Sequence, residues 1–337
     1  MKTDYKNILV IDLAFIGDVV LATPVTRALK EAYPNARITM LTVPGPADVA
    51  KLNPYVDEVL VYDKRGKHKG FFGMFAIAGM LKPYKFDFSV CMNFAVRGAV
   101  VAFLAGIPER LGYDIQHAGW FLTIKASPKR TAIQHETLNH LEVLKPLGIT
   151  TENTSLAFYF SDEVINGYKK KQNQYGLPDD GYIVICPIGS YKKKNFMSDT
   201  VNNLVQYWIG KGRMIYLIGG FAEKEPLEQM AIKSGLSLEN VLAGKLSLPE
   251  LAVFLKQADC LVSVDTGPVH IAQAAGCRTV AAYGSTDPAV WGPRGSKDII
   301  LYKQEECSPC WGKGICKNKP CMGNISAREI IDAVEKA

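Results

Sequence analysis

Residues 263–276, SVDTGPVHIAQAAG, put a carboxylate, a hydroxyl, a bare stretch of backbone and an imidazole where an apolar run gives way to a helical one. Asp265, Thr266 and Gly267 close the run. Pro268, favoured in the first turn of a helix, opens the next element, and His270 follows within that turn. Backbone N–H groups at a helix start, with no side chain on Gly267 to block approach, suit an anion such as a phosphate. Taken singly, His270 reads equally as a packed helix histidine. The cluster as a whole points to a ligand.

Three further stretches carry candidate chemistry. In CPIGSYKKKNF, residues 186–196, a strand ends at a Gly-Ser turn and runs into Lys192, Lys193 and Lys194. Ser190 and a lysine here can neutralise and hydrogen-bond a diphosphate, although a solvated basic loop has the same composition. In YLIGGFAEKEP, residues 216–226, Gly219 and Gly220 make room at a strand end, and Glu223 can accept from ribose hydroxyls. A glutamate near a helix start is also ordinary. In DLAFIGDVVLATP, residues 12–24, a turn holding Gly17 leads to Asp18 at a helix start. Its amides could hold an anion. Asp18 can cap the helix. It can also take the proton of an acceptor hydroxyl that comes within hydrogen-bond reach. The G-x-G-x-x-G dinucleotide fingerprint is absent from this turn. Arg97, Arg110 and the QHETLNH segment at 134–140 are candidates for the acceptor side, with Gly17.

The late cysteines Cys307, Cys310, Cys316 and Cys321 follow the spacing C-x2-C-x5-C-x4-C. Four thiolates can hold a tetrahedral structural zinc, but only the first half has a standard ligand spacing, so disulfides or free thiols remain open. Cys91, Cys186, Cys260 and Cys277 lie in apolar runs and are expected in the core. The basic run DKRGKHKG at 63–70 precedes the apolar FFGMFAIAGML. One reading is a loop and amphipathic segment that meets an acidic glycolipid at a membrane surface; the other is a solvated loop followed by a core helix.

Elements that could position these residues follow an α/β rhythm. NILVIDL, ARITMLTV, VDEVLVYD and FDFSVCMNF read as strands, with VVLATPVTRALKEAYP, RGAVVAFLAG and HETLNHLEVLKPLGI as helices. After a more polar stretch the rhythm restarts with GYIVICPIG, RMIYLIGG, NVLAGK, CLVSVD and TVAAYG as strands. Continuous apolar strands between helices indicate parallel sheets covered on both faces. The final SAREIIDAVEKA reads as a helix capped by Ser326 with Glu329 three residues on. With 337 residues, two domains are expected: 1–165, then 166–322, with a C-terminal helix at 323–337 packing back on the first. Ligands of such folds sit beyond the carboxyl ends of strands, here in a cleft between two domains.

Composition limits the function classes. Hydrophobic residues at 48% and charged residues at 21% describe a folded chain rather than a disordered one. A net charge of +6 is mild for this length and fits an anionic small substrate or acidic membrane surface, without arguing for nucleic acid. The apolar stretches near 71–81 and 94–107 are too short to span a bilayer, and Asp12 and Asp18 interrupt what would be a signal peptide. A cytoplasmic protein with mostly reduced thiols is expected.

Together these residues resemble glycosyltransferase family 9, the heptosyltransferases of the lipopolysaccharide inner core. The resemblance rests on GDVVLATPVTRALK, KLSLPELAVFLKQADCLVSVDTGPVHIAQAAG, YGSTDPAVWGP and the terminal CSPC…C…CM. It implies an α/β GT-B fold: two Rossmann-like domains whose parallel sheets face a central cleft. It further implies ADP-heptose as donor and a glycolipid acceptor at a membrane surface, hence a peripheral position on the inner face of the cytoplasmic membrane. Asp18 would be the general base of an inverting transfer. Ser190, Lys194, Glu223, Leu246, Asp265, Thr266, Gly267 and His270 would bind the donor, with Leu246 at the adenine. No metal or other cofactor is required for catalysis on this reading. The alternatives are a transferase with another nucleotide-sugar or acceptor glycan, a nucleotide-sugar epimerase, and a non-catalytic nucleotide-sugar-binding protein. Nothing in the sequence specifies an oligomeric state.

Overall fold

Parallel strands buried on both faces account for the continuous apolar runs. The structure, a computed structural model, describes residues 4–127, 134–313, 316, 318 and 320–336. The chain divides into two compact units, Met1–Tyr159 and Phe160–Ala337. The expected cut at 165/166 falls inside a helix. Ser161 already caps that helix, accepting from the Val164 N–H at 3.4 Å.

The first unit runs β1 (Asn7–Asp12), α1 (Ile16–Leu21), α2 (Thr23–Ala32), β2 (Arg37–Thr42), α3 (Pro44–Ala50), β3 (Glu58–Val61), α4 (Gly70–Leu81), β4 (Phe88–Cys91), α5 (Arg97–Leu104), β5 (Glu109–Tyr113), β6 (Ile124–Ala126) and α6 (Glu136–Leu141). Its strands are ordered β3-β2-β1-β4-β5-β6, all parallel. This is the doubly wound order, and the order reverses between β1 and β4, where a crevice opens beyond the strand ends.

The second unit runs α7 (Asp162–Tyr175), β7 (Tyr182–Cys186), α8 (Ser198–Gly210), β8 (Met214–Leu217), α9 (Lys224–Ser234), α10 (Leu248–Gln257), β9 (Cys260–Val264), α11 (Gly267–Ala275), β10 (Thr279–Tyr283), α12 (Pro288–Trp291), β11 (Ile299–Tyr302), α13 (Pro320–Gly323) and α14 (Ala327–Glu335). The order is β11-β10-β9-β7-β8, again parallel, with the reversal between β7 and β9. The strand expected at NVLAGK is reduced to one parallel bridge, Val241 to Leu217. Gly244 turns the chain away with φ +67, and a Cβ there would stand 3.0 Å from the Phe221 backbone.

Prolines break two expected helices. The helix foreseen at 19–34 divides at Ala22, because Pro24 has no N–H for the Val20 carbonyl, which takes the Thr23 hydroxyl at 2.7 Å instead. The helix foreseen at 135–149 ends at Leu141 and continues as a 3₁₀ stretch, Glu142–Leu147, that contains Pro146. Strands β5, β6 and β11 are short and carry weak apolar signals. Cys91, Cys186, Cys260 and Cys277 are buried as expected.

The terminal helix, α14, is built into the core of the second unit. Ile330, Ile331, Ala333 and Val334 of α14 are buried in the second unit's core with Trp208 of α8. Arg278 holds the helix end by donating to the carbonyls of Val334 at 2.8 Å and Ala333 at 2.5 Å. Its start carries the foreseen capping box: Ser326 Oγ accepts from the Glu329 N–H at 3.2 Å, and Glu329 Oε2 accepts from the Ser326 N–H at 3.0 Å. Ser326→Ala should lower unfolding stability by about 1 kcal/mol. In urea titrations the midpoint should fall with an unchanged slope; an unchanged midpoint would mean the cap does not hold this helix.

Candidate functional site

The Asp12–Asp18 and Lys194–Asp265 clusters lie at or beyond the carboxyl ends of their units' central strands. In the first unit, β1 ends in Asp12, fully buried. Its Oδ1 accepts from Ala14 N–H at 3.1 Å and Asn93 Nδ2 at 3.0 Å, while Asn93 Oδ1 accepts from Leu13 N–H at 2.5 Å. Asn93, just beyond β4, thereby pins the loop that leads into α1. The other Asp12 oxygen, Oδ2, is buried without a hydrogen-bond partner.

Asp18 lies in the first turn of α1 and caps it, Oδ2 accepting from the Phe15 N–H at 3.2 Å. The carboxylate takes the N-cap amide, and the helix has only six residues. Capping and base chemistry are compatible, because a carboxylate offers two oxygens. Burial, then the charge of Asp12, raises the Asp18 pKa to about 6, with a smaller raising effect from Glu136. His140 and the Phe15 N–H pull the other way.

Glu136 and His140 stand one turn apart on α6, both buried, with His140 Nε2 3.5 Å from Glu136 Oε1. Glu136 Oε2 accepts from Asn139 Nδ2 at 2.9 Å. The sequence offers the QHETLNH segment only as an acceptor-side candidate, without singling out Glu136 or His140; the i, i+4 spacing of an acid and a histidine is the available signal. Among the described residues, Asp18, Glu136 and His140 form the one group of three ligand-type side chains with donor atoms all within 4.8 Å. Nearby, Lys64 Nζ donates to the Leu13 carbonyl at 2.5 Å, and Arg97 donates to Tyr62 Oη at 2.9 Å. Burial and the charges of Arg65 and Arg97 lower the Lys64 pKa. Gly17 sits beside Asp18 in the first turn of α1.

In the second unit, Asp265 follows β9 and is 6% exposed. Lys194 Nζ reaches Asp265 Oδ2 at 2.6 Å, and Thr286 Oγ1 donates to the same oxygen at 2.6 Å. Of the three lysines, only Lys194 turns to this strand end; Lys193 donates to the carbonyls of Gly312 and Lys313, and Lys192 is exposed. Gly189 permits the approach, since a Cβ there would lie 2.8 Å from Lys194 Cβ. Ser190 is exposed at the mouth of the same turn. Thr266 is the N-cap of α11 and makes no side-chain cap, which keeps the Thr266–Gly267 backbone open to an anion.

His270 is 3% exposed, its ring 6.3 Å from that of Trp291. Glu223 folds back on its own turn, Oε2 accepting from the Gly220 N–H at 2.5 Å. Leu246 lies half-buried in the loop before α10. Sequence reasoning missed Thr286 and Tyr191. The Tyr191 and Ser285 hydroxyls are 2.9 Å apart, and the Tyr191 ring lies 5.0 Å from Lys194 Nζ.

The four late cysteines form no disulfide: Cys307, Cys310, Cys316 and Cys321 are free thiols. Burial, followed by smaller effects that include the charges of the other three, raises the Cys321 pKa. Yet no three of these sulfurs come within ligand distance of one another among the described residues. The foreseen zinc cage is therefore not assembled here. Residues 314, 315, 317 and 319 of that loop lie outside the described residues.

Two doubly wound parallel sheets in one chain define a GT-B architecture. The chain belongs to glycosyltransferase family 9 (heptosyltransferase), whose family signature matches residues 74–321. It is similar to lipopolysaccharide heptosyltransferase 3 of Escherichia coli strain K12, with 25% identity over 336 residues and 96% of each chain covered. The crystal structure of a family 9 glycosyl transferase from Veillonella parvula DSM 2008 superposes with a TM-score of 0.86 at 26% identity, covering 100% of this chain and 98% of that one. The E. coli ADP-heptose lps heptosyltransferase II gives a TM-score of 0.80 at 19% identity, over 98% of this chain and 100% of its own. Among the described residues no helix is long and apolar enough to cross a membrane.

A raised carboxylate pKa means that folding disfavours the ionised form. Asp18 therefore lowers stability progressively as pH rises from near 4 through about 6. Asp18→Asn keeps an oxygen for the Phe15 N–H and removes that cost. The variant should be more stable than the parent above about pH 7, by about 3 kcal/mol, and equal to it below about pH 4. Equal stability at both ends of urea titrations across pH would show that the carboxyl is not held in its neutral form.

Proposed function

We propose that this chain transfers heptose with inversion from ADP-heptose to a lipopolysaccharide inner-core acceptor, with Asp18 as the general base. The observation that carries this is the state of Asp18. It is a partly buried carboxylate with its pKa raised to about 6, at the carboxyl end of a doubly wound sheet, in a chain of family 9. A base with its pKa near the working pH is both ionised and able to accept a proton. Burial raises that value most, with Asp12 and Glu136 adding to it and His140 opposing, and on this reading Lys64 and Arg97 add positive charge for an anionic acceptor. The reading of donor and acceptor is supported by the similarity to lipopolysaccharide heptosyltransferase 3 and to ADP-heptose lps heptosyltransferase II.

In the second unit, Lys194 and the Thr266–Gly267 backbone hold the diphosphate and stabilise the charge that grows on departing ADP. Asp265 holds Lys194 in place. Glu223 meets the ribose, Leu246 the adenine, and Ser190 and His270 complete the donor site. The reading needs no metal or other cofactor. Because its acceptor is a glycolipid, the enzyme works in the cytoplasm as a peripheral protein on the inner face of the cytoplasmic membrane.

The first test is a binding titration of ADP-heptose, ADP, UDP and GDP against the purified protein. Selective binding of the adenine ligands is expected; preference for UDP or GDP would remove heptose as donor. Asp18→Ala should lower transfer roughly 10²–10⁴-fold while leaving ADP-heptose affinity nearly unchanged. Surviving turnover would show that Asp18 is not the base.

Among the lysines, Lys194→Met should weaken ADP binding roughly tenfold to hundredfold, and Lys192→Met hardly at all. Equal effects would mean a diffuse basic loop rather than a seated lysine. In pH–rate profiles kcat/KM should fall below about pH 6 in the parent. His140→Gln, which removes a group that lowers the Asp18 pKa, should move that limb upward.

A further inference from the structure

Helix α4 spends only half of its apolar surface on the core. Its sequence, GFFGMFAIAGML, holds no polar side chain in 12 residues. Gly73, Ile77, Ala78 and Leu81 are buried. Phe71, Phe72, Phe75, Ala76, Gly79 and Met80 are exposed. Their spacing, i, i+1, i+4, i+5, i+8, i+9, is one continuous helical face. Phe72 is 86% exposed and Phe71 62%, and the rings of Phe71 and Phe75 meet edge-on at 4.9 Å. A single exposed phenylalanine means little, but an uninterrupted apolar face calls for a partner. Phe103 on α5, packed beside α4, is also 48% exposed.

Charge selects the partner. Residues 64–86 contain Lys64, Arg65, Lys67, Lys69, Lys82 and Lys85 and no Asp or Glu. Arg65, Lys67 and Lys69 are exposed before the helix, and Lys82 and Lys85 after it. The preceding carboxylate, Asp63, is turned into its own loop, accepting from the N–H groups of Gly66 at 2.8 Å and Lys67 at 3.0 Å. A second copy docked on this face would bring two like-charged rims together, which opposes a homodimer. A bilayer with anionic headgroups satisfies both features, the rings entering among acyl chains and the cations meeting phosphates. At about 1.5 Å per residue a helix of this length is roughly 18 Å long, short of the ~30 Å hydrocarbon core, so it lies in the interface and does not span it.

We propose that α4 with its two basic ends is the surface by which this chain docks on an anionic phospholipid bilayer. The proposal rests on the reading that the acceptor is a membrane glycolipid, and its test is separable because the vesicles need contain no acceptor.

The experiment is flotation of the full chain with vesicles of phosphatidylcholine alone or of equimolar phosphatidylcholine and phosphatidylglycerol. Binding to the acidic vesicles is expected, weakening as salt rises, with at least tenfold less binding to the neutral ones. Phe72→Ser/Phe75→Ser should reduce partition at least tenfold, while ADP affinity and circular dichroism stay as in the parent. A separate Phe72→Trp variant should shift its emission to the blue on acidic vesicles, which a merely electrostatic contact would not cause. Failure of the parent to float with acidic vesicles, or equal flotation of the double serine variant, overturns the proposal. So does a parent dimer in sedimentation equilibrium that the double variant dissolves, with no vesicle binding.

Transfer assays on vesicle-embedded and on water-soluble, delipidated acceptor then separate the two readings. The double variant should lose transfer to the embedded acceptor alone. If the parent floats but glycosylates neither acceptor, the docking surface stands and the heptosyl reading fails.

Discussion

A parallel strand cannot join its neighbour through a tight turn; the chain must cross over, and the crossover is a helix that covers the sheet. The rest of this molecule follows from that constraint. All strands of each sheet end on the same side, so the loops after β1 and β4, and after β7 and β9, meet at one edge. Where the winding reverses, neighbouring crossovers leave in opposite directions and a crevice is left open. Asp12 and Asn93 mark that point in the first unit, and Gly189 and Asp265 in the second. The chemistry sits at the strand ends because each covered sheet leaves few other places for polar side chains to converge.

The two candidate-site carboxylates, Asp265 and Asp18, are treated in opposite ways. Asp265 is buried but paired: Lys194 and Thr286 both reach its Oδ2. The pair fixes a lysine that would otherwise sample solvent, so a cation is in place before any anion arrives. Among the described residues Asp18 has no lysine or arginine salt bridge of this kind. It lies near Asp12, whose second buried oxygen has no hydrogen bond, and near Glu136, with His140 as the compensating group. Like charges and desolvation make its ionised form costly, and proton affinity is gained in proportion. A fixed cation suits a leaving anion, and a carboxylate reluctant to stay charged suits proton capture.

How legible each feature was depends on the range of the interaction that makes it. The apolar strands β1, β2, β7, β9 and β10 were plain in the sequence because burial on both faces writes itself into consecutive residues. The capping box at Ser326 was equally plain, since both partners lie within four residues. Short β5, β6 and β11 carried no comparable signal, and the prolines at 24 and 146 broke helices that the apolar pattern alone extended. At the sites, Asp265, Lys194 and Asp18 stood out as residues, but not their relationships. The Lys194–Asp265 contact spans 71 positions. Nor could Lys194 be told from Lys192 and Lys193 without knowing which way the turn faces. Glu136 and His140 joined the Asp18 cluster only through the packing of α6 against α1. The cysteine spacing suggested a cage, and the fold does not close one among the described residues.

Helix α4 shows why hydropathy without coordinates is ambiguous. An all-apolar segment of 12 residues reads as a core helix, and by its inner face it is one. Its outer face breaks the pattern that a helix at a water boundary normally obeys, polar outside and apolar inside. Exposed phenylalanine surface carries a hydration cost of about 25 cal/mol per Å² in water. Removing that surface from water recovers the cost, and placing cations at both helix ends sets the surface on which recovery is greatest. The modest net charge of +6 thus matters less than its placement, with six cations and no Asp or Glu between residues 64 and 86. On the proposed reading of a bilayer-held acceptor, confinement to that surface raises the local concentration of acceptor without any tighter grip on the sugar itself.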